Sequence, residues 1–106
     1  RGVRSAQRDL VVHSLAPRDF GDAESNTEQA PKVGLVVGKS VGNAVQRHRV
    51  SRQLRHASRD LLAELQSGEL LVIRALPGSR EAATATLQDE LRVAVQRAHA
   101  KSGSRP

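Results

Sequence analysis

At 106 residues and 38% apolar side chains, the chain has room for one domain with a modest core. Its 17 Lys and Arg stand against 11 Asp and Glu, a formal net charge of +6, which favours polyanionic partners and says nothing about fold. There is no Cys, hence no disulfide framework or thiol chemistry, and no apolar run approaches the ~18 residues of a membrane span.

The first residues, "RGVRSAQRD", lead into no apolar stretch and so are not a signal peptide. Met is absent, also at position 1, and we expect the natural chain to begin further upstream. Residues 10–15, "LVVHSL", are apolar and β-branched with a polar interruption and predict a strand. Residues 17–31 hold Asp19, Asp22, Glu24 and Glu28 against Arg18 alone, with Pro, Gly, Ser and Asn and no periodicity. They predict a long acidic, flexible loop. "VGLVV", residues 33–37, is a short continuous apolar run of the kind that forms a buried strand. Gly38 to Gly42 is a turn, and Asn43 is the N-cap of a helix expected to run to Ser67-Gly68. "LLVIRAL", residues 70–76, predicts another buried strand, ended by Pro77-Gly78. A second amphipathic helix spans about Thr84 to Ala100, with Leu87, Leu91, Ala94, Val95 and Ala98 on one side. The polar tail 101–106 is expected to fray. The order is strand or hairpin, strand, helix, strand, helix, in a single domain over 1–106. That predicts a two-layer α/β (α+β) sandwich.

The first helix carries the functional signal. Residues 42–60 contain five Arg and two His and a single acid, Asp60. At 100° per residue, Val50, Leu54, Ala57, Leu61 and Leu65 fall within about 80° of one another, as a core stripe should. His48, Arg49, Arg52, Arg55, His56 and Arg59 occupy an arc of roughly 120° on the opposite side, with Arg47 off the arc near the helix start. Solvated helix faces mix signs and form pairs four residues apart, whereas this arc has no acid among its arginines. Arg matches phosphate geometry, so the arc reads as a clamp on a nucleic-acid backbone. Phe20 is the one aromatic residue, so base stacking on aromatic rings is not the mode of binding. Phosphate contact and shape remain, which suits a structured RNA or a duplex.

Residues 33–57, "VGLVVGKSVGNAVQRHRVSRQLRHA", resemble the signature of the protein subunit of bacterial ribonuclease P. That signature is a buried strand, a Lys-containing turn, Gly-x-Ala-Val, then Arg-Asn-Arg and two further arginines at three-residue steps. Lys39 matches the turn's first lysine, Arg47 and Arg49 the paired arginines, and Arg52 and Arg55 the following two. "LVIRALP", residues 71–77, resembles the strand that follows. The likeness covers nearly the whole chain. His48 stands where the family has Asn, and Ser40 and Ser51 where it has Lys, so the basic patch is thinner. Arg1-Gly2 look like the end of the turn that follows the family's N-terminal helix, which would itself be absent.

The resemblance implies a fold like domain 2 of ribosomal protein S5, with a left-handed βαβ crossover, an exception to the usual right-handed rule. It implies two partners, the catalytic RNA subunit and precursor tRNA, and a cytoplasmic setting. The reaction would be endonucleolytic removal of the 5′ leader from precursor tRNA. The RNA, with bound Mg²⁺, would carry the chemistry, and the sheet-side cleft would hold the leader. RNA-binding residues would be Lys39, Arg47, His48, Arg49, Arg52, Arg55, His56 and Arg59. Neither catalytic nor metal-binding side chains are expected in the protein: carboxylates outside the loop are scattered, and His13, His48, His56 and His99 lack a supporting acid or Cys. His13 reads as a packed or edge-strand residue.

Two other readings compete. A generic RNA-binding or ribosome-associated protein of the same fold would share the arc. A nucleotide-dependent enzyme would use "GLVVGKS", residues 34–40, but this is one residue short of a P-loop and places its strand between the glycines. A DNA-reading helix-turn-helix expects a preceding short helix, and here a strand comes first.

Overall fold

The computed structural model describes residues 2–15 and 30–103. Four strands form one sheet in the order β1-β2-β4-β3: β1 is Val3–Ala6, β2 Leu10–Leu15, β3 Lys32–Val36 and β4 Leu70–Ala75. Helix α1 covers Ala44–Arg59 and α2 Thr84–Gly103. β1 and β2 form an antiparallel hairpin, β2 pairs antiparallel with β4, and β3 pairs parallel with β4. A parallel neighbour needs a crossover, and α1 supplies it between β3 and β4. This is the mixed α+β fold expected from the element order.

Alternation along the strands sends Leu10, Val12, Leu71, Ile73 and Ala75 to the helical side. There they meet Val50, Leu54, Ala57, Leu61 and Leu65, with Leu87, Leu91, Ala94 and Val95 of α2, in one core. Fully burying one Leu or Val contributes about 1.5–3 kcal/mol. Val33, Leu35 and Val37 pack at its edge, half-buried, because β3 is an edge strand.

β2 matches its expected bounds, and β3 and β4 differ from theirs by one residue. The opening hairpin left possible by the element order is formed, but its first arm was not placed: "VRSA" has no apolar alternation and gains its strand form from pairing Arg4 with His13 and Ser5 with Val12. The hairpin makes β2 an interior strand, so His13 is packed within the sheet and not at its edge. α1 ends at Arg59, eight residues before the expected stop. Ser58 turns its hydroxyl onto the Arg55 carbonyl (2.9 Å), a local bond that competes with helix continuation. A 3₁₀ turn over Leu62–Glu64 follows, and Leu61 and Leu65 stay buried through the change of pitch. The apolar stripe outlasts the helix, which is why the pattern overshot. At the other end, residues 101–103 continue α2 instead of fraying, and Lys101 Nζ donates to the Arg4 carbonyl at 2.8 Å. The acidic segment 17–31 falls outside the described residues except for Ala30 and Pro31, as do residues 104–106 and Arg1. Its flanks, Leu15 and Lys32, stand in register on either side of Leu70, at one end of the sheet.

Two carboxyl groups, one half-buried and one buried, fasten the layers. The Asp9 backbone N–H, at the hairpin turn, donates to Glu90 Oε1 of α2 at 2.9 Å. Burial, and then the hydrogen bond to the Asp9 side chain, raise the Glu90 carboxyl above its ordinary pKa. A raised carboxyl pKa stabilises the fold at acid pH, and that contribution is lost as pH climbs through the folded-state value. Glu90→Gln does not titrate. Its stability relative to the parent should therefore rise between about pH 4 and pH 7. Urea midpoints of both proteins at the two pH values check this, and a gap that ignores pH would refute it.

The second group is Glu69, 2% exposed, just before β4. Ser14 Oγ donates to its Oε2 at 2.5 Å, His99 Nε2 lies 2.9 Å from the same oxygen, and the Gln66 N–H donates to Oε1 at 2.8 Å. His99 thus has the supporting acid that the sequence did not reveal. The carboxylate, not the imidazole, is the central member, so the trio joins β2, β4 and α2 without the Ser–His contact that nucleophilic catalysis needs.

Candidate nucleic-acid interface

The arginine helix starts sharply. Asn43 Oδ1 accepts the Gln46 N–H at 2.8 Å and Gln46 Oε1 accepts the Asn43 N–H at 2.9 Å, a reciprocal capping box. Gly42, before the cap, has φ +158°, and a Cβ there would collide with Gln46 Oε1. Gly42→Ala is therefore expected to open the box and cost about 1–2 kcal/mol, read as a lower melting temperature. A variant as stable as the parent would show that the cap does not hold the helix start.

Beyond the cap, Val50, Leu54 and Ala57 face the core, while His48, Arg49, Arg52, Arg55, His56 and Arg59 are exposed, as the helical phase predicts. Lys39 is exposed in the preceding turn. None of these, nor Arg47, forms an ion pair with an acid among the described residues. The fold therefore sets six of the eight predicted residues along one face of α1, with Lys39 in the turn before it and Arg47 off that face, and pairs none of them with a described acid.

Two of the eight have further duties. Arg49 donates from its guanidinium to the Arg80 carbonyl, in the 3₁₀ turn Pro77–Glu81 that follows β4. Arg80 in turn donates to the Val41 carbonyl at 3.3 Å. Arg49 is thus partly spent on holding that turn against the helix start, and Arg80, a cation that sequence reading missed, is itself paired with Glu81 at 3.9 Å. Arg47 is half-buried, with its Nε buried and lacking a hydrogen-bond partner among the described residues. An unpaired buried donor costs about 1–3 kcal/mol.

The ribonuclease P family model matches residues 1–99, which include the sheet, α1 and most of α2. The chain belongs to the ribonuclease P protein family. It is 51% identical over 102 residues to the ribonuclease P protein component of Mycolicibacterium gilvum, covering 96% of this chain and 77% of that one. It is 54% identical over 103 residues to that of Mycobacterium avium, covering 96% and 82%. Its fold is similar to the Staphylococcus aureus RNase P protein (TM-score 0.73, 22% identity, 92% of this chain and 81% of that one). The Thermotoga maritima RNase P protein is similar too (TM-score 0.72, 19% identity, 92% and 84%).

Within this ribonuclease P family chain, one more residue belongs to the surface. Val45 is 78% exposed and, by helical phase, sits in the middle of the cationic arc at its N-terminal end. A lone apolar residue outside the core stripe reads as noise in a sequence. Its position on the arc follows from the 100° step, and its exposure needed the fold.

Proposed function

We propose that this chain is the RNA-binding subunit of ribonuclease P, docking on the catalytic RNA and aiding removal of the 5′ leader from precursor tRNA. The observation that carries the reading is the arc: six cationic or protonatable side chains on one rigid helix face, with no acid among the described residues paired to them. Phosphates are the complementary partner, and arginine forks fit them. The opposite side of the molecule supports a second role. There the sheet face turned from the helices presents Arg4, Lys32 and Arg74, all exposed, around half-buried Val72, Leu70 and Leu15. A single-stranded leader could lie on that face, with its phosphates at the basic rim.

In this reading Mg²⁺ is bound by the RNA and the chemistry is the RNA's. Among the described residues no three His, Asp or Glu side chains converge to hold a metal. The setting would be the cytoplasm, where tRNA precursors are processed. No helix among the described residues is long and apolar enough to cross a membrane.

The test is precursor-tRNA cleavage by the catalytic RNA at low Mg²⁺, with and without the chain. Stimulated cleavage is the expected result. RNA binding without stimulation would favour a generic RNA-binding protein of the same fold, and no RNA binding would remove the reading altogether.

A further inference from the structure

We infer that the N-terminal end of α1 holds an unpaired nucleobase of the bound RNA, seated on Val45 between His48 and Arg52. This rests on the RNA-binding reading above and adds to it a base subsite beside the phosphate clamp.

A hollow of about 370 Å³ is lined by Ala44, Val45, His48, Arg49 and Arg52. The last four are spaced at 0, 3, 4 and 7, so they form one stripe along the helix. The floor is apolar, made by Val45 and Ala44, and the described chain leaves Val45 78% exposed. The sides are an imidazole and two guanidinium stems. Arg49 is drawn aside to the Arg80 carbonyl, which leaves Val45 open to a ligand on the Arg52 side.

A hollow of this kind suits a flat, weakly polar ring carried on a polyanion. The ring covers Val45 and stacks on the imidazole or the Arg52 guanidinium, planar groups that accept a π-face where no Phe, Tyr or Trp is at hand. The phosphates on either side of it fall among the arginines. A fully paired duplex cannot deliver a base to the helix surface, because its bases are stacked inside. A bulge, loop or junction can, which is where protein–RNA recognition reaches bases. The occupant is therefore an unpaired nucleotide and not a uniform stem. Charge complementarity favours it over an apolar protein segment, which would have to desolvate Arg52 and His48 without pairing them.

Three RNA hairpins with one stem sequence test this: fully paired, with a single adenosine bulge, and with an abasic residue at the bulge. The intact chain is expected to bind the adenosine bulge about three- to tenfold more tightly than the other two, from covering two or so methyl groups and one stacked face. Val45→Ala should reduce that preference while leaving the salt dependence of binding as it was, because no charge is lost. Equal binding of all three hairpins by the parent chain overturns the base subsite and leaves the phosphate clamp standing. Failure to bind any hairpin overturns the clamp as well. A Val45→Ala protein that keeps the full preference for the bulge shows that the base sits elsewhere. A change in self-association on sedimentation, with RNA affinity unchanged, assigns Val45 to a protein contact and likewise overturns the proposal.

Discussion

Replacing Arg52 and Arg55 by Ala is expected to weaken binding to the catalytic RNA by about tenfold each or more, the usual effect of losing a charge-assisted hydrogen bond. The slope of log K against log salt should flatten by roughly 0.9 for each arginine that neutralises a phosphate. Both side chains are exposed, neither pairs with a described acid, and Ala is the best helix former, so the fold should survive. Relief of like-charge repulsion along the arc should even raise stability slightly. Arg97→Ala, on the exposed side of α2, serves as the control and should leave both affinity and slope near the parent values. Ser51→Lys, beside the arc, should steepen the slope by less than a full charge, because Ser51 is half-buried. Arg49→Ala should differ from Arg52→Ala by losing stability too, since its guanidinium holds the turn after β4. Titrations at several salt concentrations, with circular dichroism to confirm folding, decide the matter. A folded double variant with parental affinity and slope would show that α1 does not face RNA.

Glu69→Ala should cause the largest loss of stability, about 3 kcal/mol. It leaves the Ser14 hydroxyl and the Gln66 N–H without their acceptor and removes the partner of His99, in a place closed to water. For a domain of this size that is a fall of roughly 10 °C or more in melting temperature. Glu69→Gln keeps one acceptor oxygen and should lie between the two. A Glu69→Ala protein that melts within about 2 °C of the parent would mean that the trio is incidental to folding.

The strands β2, β3 and β4 and the start of α1 were legible in the sequence because local signals mark them: apolar runs bounded by turn residues, and a capping Asn behind a Gly. So was the arc, since helical phase depends on spacing alone. A hairpin at the start of the chain was allowed for, but the residues of β1 were not legible, because those four become a strand only through their partners in β2. The end of α1 was hidden by an apolar stripe that continues through the 3₁₀ turn to Leu65. Contacts between residues distant in sequence were also invisible: Glu69 with His99 and Ser14, Asp9 with Glu90, Arg49 with Arg80. Each is set by where two elements cross, and no spacing in the chain encodes that crossing.

The alignment of Leu15, Leu70 and Lys32 at one end of the sheet bears on redesign. Those flanks are two strand spacings apart, about 10 Å, a gap that three or four extended residues can bridge. The natural sequence uses sixteen, residues 16–31, so the sheet's geometry does not dictate that length. A graft of about five polar residues would close the same sheet and reduce the entropy of closure by about 1 kcal/mol. Because residues 17–31 carry four acids and one base, the graft would also leave the molecule more cationic. Length and charge of that connection are thus set by something other than the spacing of β2 and β3 in the sheet.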